Sequence, residues 1–199
     1  MAIPPGTKFH GVAPSVDTVN KGSALANSLR DAYTIDDILA YVSSGLGWAR
    51  YDDNEYTSSN KLALVDGVTV TIPNNAASVY RSSNDITFYN GSTDRVLADN
   101  VNDVYVMTIV FKYQAPNANQ THLDLAFEGT NGTPYDRITG EATFPKGNDV
   151  EHNYHQVFQY YADASFVENG SYWQITANGG AASIWDIIYF IQRTQYYGG

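Results

Sequence analysis

Three stretches of this chain are apolar on both faces of an extended strand. In "DVYVMTIVFKYQA", residues 103–115, one parity is Tyr105, Met107, Ile109, Phe111 and Tyr113. The other is Val104, Val106, Thr108, Val110 and Lys112. "HNYHQVFQYY", residues 152–161, sets Tyr154, Phe158 and Tyr160 on one side and His155, Val157 and Tyr161 on the other. From Ile184 to Ile191 only Asp186 breaks the apolar run. A half-exposed strand alternates apolar with polar residues, because one face of a sheet in a sandwich meets the core and the other meets water. Strands such as these need cover on both faces. Either the long strands pass between two layers of the monomer, or another copy of the chain covers the second face around a symmetry axis. Asp186 itself is expected to accept bonds from a turn such as "NGG" or to meet Arg193 across a subunit boundary.

The rest of the chain sets the context for those strands. Residues 1–47 are rich in Pro, Gly, Ser and Asn and hold one helical pattern, "YTIDDILAYVSSGLG". Thr34 is placed to cap it, Asp36 and Asp37 fall in the first turn, and Ile35, Ile38, Leu39 and Val42 share one face. This predicts a short helix at about 34–43 within an extended N-terminal arm. From Trp48 onward the period is two. Strand-like runs fall near 48–57, 61–65, 68–72, 79–89, 103–114, 121–128, 136–144, 150–162, 166–177 and 184–194. Turn signals such as "VDGV", "YNGS", "VENGS" and "ANGG" separate them. Many strands with short polar turns and no alternating helices indicate an all-β antiparallel sandwich over residues 48–199.

The charge balance narrows the function. Eleven basic against 21 acidic side chains give a net charge of -10, which disfavours nucleic-acid phosphates as a partner. The chain has no cysteine, hence no disulfide and no thiolate metal site. No stretch reaches the roughly 18 apolar residues of a membrane helix, and "MAIPPGTKFHGVAPSV" has no apolar signal-peptide core. The expectation is a protein made and used without Sec-type export, with no membrane partner.

Candidate chemistry is sparse. His152 and His155 sit three apart, which on a strand places them on opposite faces, not around one metal. "YDDNEY" offers Asp52, Asp53 and Glu55, but without the Gly of a sharp calcium loop. The serines lie in no nucleophile-elbow context, and no phosphate-cradling loop occurs. The expectation is a non-enzyme with no cofactor and no metal. Sixteen tyrosines suit long strands and subunit interfaces, or an adaptable loop surface for sugars.

A family resemblance rests on particular residues. "VFQYYADASFVENGSYWQITANGGAASIWDIIYFIQRT", preceded by "KLALVDGVTVTIPNNAASV", resembles the compact trimeric jelly-roll knobs carried by many tailed bacteriophages, which are similar in fold to the tumour-necrosis-factor and C1q heads. The positions that carry it are Phe158, Tyr160, Tyr161, Phe166, Asn169, Gly170, Trp185, Asp186, Ile191 and Arg193. "NKGSALANSLRDAYTIDDI" resembles a leader of phage structural proteins. The chain departs from complete fibres in having no coiled-coil or β-helix shaft.

The resemblance implies a jelly-roll β-sandwich and a homotrimer on a phage virion, made in the host cytoplasm. Two roles follow as expectations. In the first, the chain is a capsid decoration (cement) protein on the outer capsid surface. Its arm would then anchor to the major capsid protein through Ile3, Phe9, Val12, Val16, Leu25, Leu29 and Tyr33. In the second, it is a tail or head fibre knob that binds host surface glycan. In either case Tyr105, Met107, Ile109, Phe111, Tyr154, Phe158 and Tyr160 are expected to line the trimer interface.

Overall fold

The computed structural model describes residues 45–82, 86–115, 121–129, 138–144 and 150–197. The chain divides after Gly45 into two units; the arm, its helix and its seven anchoring residues lie outside the described residues. The second unit is an all-β antiparallel sandwich, as its periodicity predicts. One sheet is built from β1 (Gly47–Asp52), β2 (Leu62–Leu64), β4 (Ser78–Arg81), β7 (Val104–Gln114), β10 (Glu151–Tyr161) and β12 (Ala182–Gln195). Its order is β10-β7-β12-β1-β4, with β2 also pairing β12. The other is built from β3 (Thr69–Thr71), β5 (Tyr89–Asn90), β6 (Arg95–Val96), β8 (Thr121–Gly129), β9 (Ile138–Phe144) and β11 (Ser171–Asn178). Its order is β5-β6-β11-β8-β9, with β3 pairing β11.

Three of the expected runs are corrected, the first being 48–57, whose strand β1 ends at Asp52. The run 79–89 is not one strand: β4 ends at Arg81, and the chain re-enters the other sheet at β5, which pairs with β6 across the turn Asn90–Arg95. The run 166–177 begins as a helix, α1 (Ala164–Asn169). Asp163 caps it by accepting a hydrogen bond from the Phe166 N–H at 2.9 Å, and Gly170, at φ 70°, ends it. A helix of six residues is too short to show a 3.6-residue period, so only its caps could have revealed it.

The core lies between the sheets. β7 alternates without exception, and Tyr105, Met107, Ile109, Phe111 and Tyr113 are at most 1 % exposed. β11 contributes Trp173, Ile175 and Ala177, and β8 contributes Leu123, Leu125 and Phe127. Rings fill one region: Phe127, Phe158, Tyr160, Phe166 and Trp173 stand with centroids 4.5–5.8 Å apart in their contacting pairs. Such pairs add about 0.5–1.5 kcal/mol each beyond the area they bury.

A β-bulge explains the apolar run in β12. Its register with β7 shifts between Trp185↔Lys112 and Ile188↔Val110, and Asp186 takes φ 53° there. The extra residue swaps the faces. Ile184 points inward before the bulge; Ile187, Tyr189 and Ile191 do so after it. Trp185, on the opposite side, is itself buried, with the Lys61 ammonium 4.1 Å from its ring centroid. The Asp186 N–H donates to the Tyr56 carbonyl at 2.9 Å, which ties the bulge to the preceding loop.

Candidate assembly face

The fold sets the seven residues expected at a trimer interface inside the sandwich. Tyr105, Met107, Ile109, Phe111, Tyr154, Phe158 and Tyr160 all belong to the chain's own core, none more than 8 % exposed. Both parities of β7 are apolar, so the pattern alone leaves the direction open. Volume decides it: the long and aromatic side chains fill the space between the sheets, and the short β-branched valines face outward.

The outward face of the β10-β7-β12-β1-β4 sheet is where apolar surface remains. Strand register sets it in rows. One row reads Val157, Thr108, Phe190, Arg50 and Tyr80; the next reads Gln159, Val106, Gln192 and Trp48; the third reads His155, Val110, Ile188 and Asp52. Trp48 stacks on Phe190 at 5.8 Å between centroids. Val106, Val110, Ile188 and Phe190 are half-buried, while Val157 is 55 % exposed and Tyr161 63 %.

Charged pairs flank this strip. The Lys112 ammonium meets Glu151 at 2.9 Å and Asp186 at 3.3 Å; these two carboxylates, Glu151 first, raise the Lys112 pKa above its ordinary value. Arg50 grips Asp52 with two bonds, at 2.7 and 3.0 Å. An apolar centre with a polar rim is the anatomy of a protein–protein interface.

The described residues of the other sheet's outer face are of opposite character. Tyr172, Gln174, Thr176 and Asn178 project from β11. Thr176 shares a hydroxyl hydrogen bond with Thr69 at 2.7 Å, and the Asn178 amide donates to Asp124 at 2.6 Å. That face is wettable as it stands.

One end of the sandwich holds a buried ionic cluster, and the structure corrects the partners expected for Asp186. The Gly179 and Gly180 N–H groups donate to Asp66, at 2.9 and 3.1 Å, and Asp186 meets Lys112. Arg193 is buried against Asp103 at 3.1 Å and also contacts Asp99. Its guanidinium lies 5.5 Å from the Phe88 centroid and 4.9 Å from that of Tyr196. Asp103 further accepts from Asn100, from the Tyr105 hydroxyl and from the Tyr197 N–H at 2.7 Å. Burial opposes the Arg193 charge, but Tyr105 and Asp99, by charge and by hydrogen bonding to Arg193, outweigh it and raise its pKa. Burial likewise pushes the Tyr105 phenol up. Arg193 and Asp103 are shut away from solvent, and the cluster reads as structural.

Of the remaining candidates, His155 lies on the outer face and His152 on the inner parity, beside Tyr113. Asp53 organises its loop, accepting from the Tyr56 and Asn75 N–H groups. Among the described residues no group of three or more His, Cys, Asp or Glu side chains is arranged to hold a metal ion.

No protein-family model matches this chain, and no curated protein matches its sequence. Solved structures do match. The Eiger TNF of S. frugiperda aligns with a TM-score of 0.50 at 10 % identity, over 78 % of this chain and 96 % of its own. The globular domain of zebrafish complement 1qA aligns at TM-score 0.43 and 9 % identity, over 75 % and 98 %. A carbohydrate-binding module of Cellvibrio mixtus lichenase 5A, solved with cellotriose, aligns at 0.31 and 15 %, over 73 % and 97 %. The fold is a TNF-like jelly roll.

Proposed function

We propose that this chain is a non-enzymatic structural protein that assembles as a homotrimer on a phage virion, with capsid decoration as its role. The observation that carries the assembly is the contrast between the two outer faces. One is polar and internally hydrogen-bonded. The other presents Trp48, Phe190, Ile188, Val106, Val110 and Val157 to solvent, with ion pairs at its margins. Covering that strip in a closed ring removes the apolar liability of that face. The leader and closing-strand motifs of the sequence support the virion assignment. The 44 residues ahead of the described sandwich supply length enough for an arm that grips the shell.

Light scattering tests the assembly: the full chain should run at three times its own mass. Combining Trp48→Glu with Phe190→Glu should yield folded monomers, since both side chains lie on the outer face. A monodisperse wild-type monomer overturns the reading. The arm is tested by deleting residues 1–33. The truncated trimer should no longer bind undecorated capsids; binding at normal occupancy would place the anchor elsewhere. Host-glycan binding by wild-type trimer that leaves capsids bare would favour the fibre-knob role.

A further inference from the structure

We propose that Asn90 is a site of spontaneous backbone modification, converting through a succinimide to aspartate and isoaspartate. The chain has four Asn–Gly pairs, at 90–91, 131–132, 169–170 and 178–179; the second lies outside the described residues. Glycine after asparagine favours this chemistry because no Cβ obstructs attack by its backbone nitrogen on the asparagine Cγ. The fold then decides which pair reacts.

At Asn169 both reacting groups are held. The Gly170 N–H donates to the Phe166 carbonyl at 2.8 Å as the cap of α1, and the Asn169 amide donates to the Ser165 carbonyl at 3.1 Å. At Asn178 the same is true: the Gly179 N–H donates to Asp66 at 2.9 Å and the Asn178 amide to Asp124 at 2.6 Å. Asn90 differs. It is the last residue of β5, where the chain turns toward β6, beside exposed Ser92. Its Oδ1 accepts from the Ser92 N–H at 2.9 Å, which folds the carboxamide back along the Gly91 peptide. That donor also withdraws electron density from Cγ and stabilises the oxyanion formed on attack. Among the described residues the Gly91 N–H makes no hydrogen bond.

The reaction balances with water alone. The Gly91 nitrogen gives its proton to hydroxide and bonds to Cγ; the Cγ–Nδ2 bond breaks, and the nitrogen takes a proton back from water, regenerating hydroxide, and leaves as ammonia. Water then opens the ring at either carbonyl, leaving aspartate or isoaspartate and one added negative charge. Isoaspartate lengthens the backbone in a turn that has no slack. Gly91 lies against the neighbouring loop, where a Cβ would stand 2.9 Å from the Asn75 carbonyl oxygen. Asp94, in the same turn, accepts from the Tyr89 hydroxyl at 2.9 Å and from the Asn74 N–H at 3.1 Å. The longer turn pulls Asp94 out of that network.

The test incubates the full chain at neutral pH with mild warming and maps its peptides by mass spectrometry over time. The peptide containing Asn90 should gain roughly one dalton. It should do so about tenfold faster than those containing Asn169 or Asn178, a barrier difference of roughly 1.4 kcal/mol. In urea the three rates should converge, because the hydrogen bonds that distinguish them are gone. Asn90→Asp, which keeps the Ser92 acceptor, should show no mass gain at that peptide. Native Asn169 or Asn178 reacting as fast as Asn90 would overturn the assignment, as would a tenfold difference that persists in urea.

Discussion

Arg193→Met is the sharpest test of what holds the closing end of the sandwich. The side chain is 4 % exposed, and Asp103, its partner at 3.1 Å, is 0 % exposed. Methionine keeps most of the apolar stem between Phe88 and Tyr196 but removes the cation. Asp103 would then be a buried carboxylate held only by Asn100 at 3.3 Å, the Tyr105 hydroxyl at 3.3 Å and the Tyr197 N–H at 2.7 Å. Breaking a buried pair from one side costs about 3–5 kcal/mol. Against a typical domain stability of about 5–15 kcal/mol that is a large fraction. With a urea slope of about 1–3 kcal/mol/M, the midpoint should fall by more than roughly 1 M at unchanged slope. Adding Asp103→Asn to Arg193→Met removes the stranded charge and should restore part of the loss, giving a coupling above about 1 kcal/mol in the double-mutant cycle. If the single change costs under about 1 kcal/mol, or the two changes add, the Asp103 charge is not what Arg193 holds and the argument fails.

Three further outcomes are expected. Burial drives the phenols of Tyr89, Tyr105, Tyr160 and Tyr189 upward. Their folded values lie above the unfolded value of about 10, so their contribution is intact below that pH and is lost as pH rises beyond it. Phenolate absorbance from these groups should appear together with loss of circular dichroism, and its appearance in folded protein would contradict their burial. Asp186→Gly relieves a left-handed φ of 53° while giving up an exposed contact with Lys112; the melting temperature should rise, with a gain of about 1 kcal/mol, and a fall would show that the carboxylate matters more than the strain. Phe158→Asp, which sets a carboxylate where a ring now packs 4.5 Å from that of Trp173, should abolish near-ultraviolet circular dichroism outright. A folded monomer from that variant would return Phe158 to a subunit interface.

The positions of the long strands were legible because their length and turn chemistry are local properties. β7, β8, β10 and β12 lie within two residues of the runs read from the sequence. Facing was not legible. In β7, Tyr105–Tyr113 and Val104–Val110 are both apolar, and only the depth of space between the sheets separates them. The β12 bulge escaped notice because an aspartate in the left-handed region leaves no trace in hydropathy. Its effect is to place Ile184 and Ile187, three apart, on one face. The candidate assembly face is concealed in the sequence because its apolar residues alternate with apolar core residues along β7 and β10. α1 and the β5–β6 turn are too short for any period, and their signals lie in Asp163, Gly170 and Asn90–Gly91.

β12 bonds to β1, β2 and β7 together, yet it follows all three along the chain. Gly47 pairs with Arg193, and Leu64 with Ala182. During synthesis β1 therefore waits, unpaired with β12, until nearly 150 further residues have been made, and β2 until about 120 have. Only then can the sheet close over the Tyr51 and Ile109 side chains. Pairings so distant in sequence slow folding and prolong exposure of apolar edges. The nascent chain leans meanwhile on contacts that complete earlier, β8 with β9 and β7 with β10. Its most vulnerable interval ends when Ile184–Ile191 leaves the ribosome.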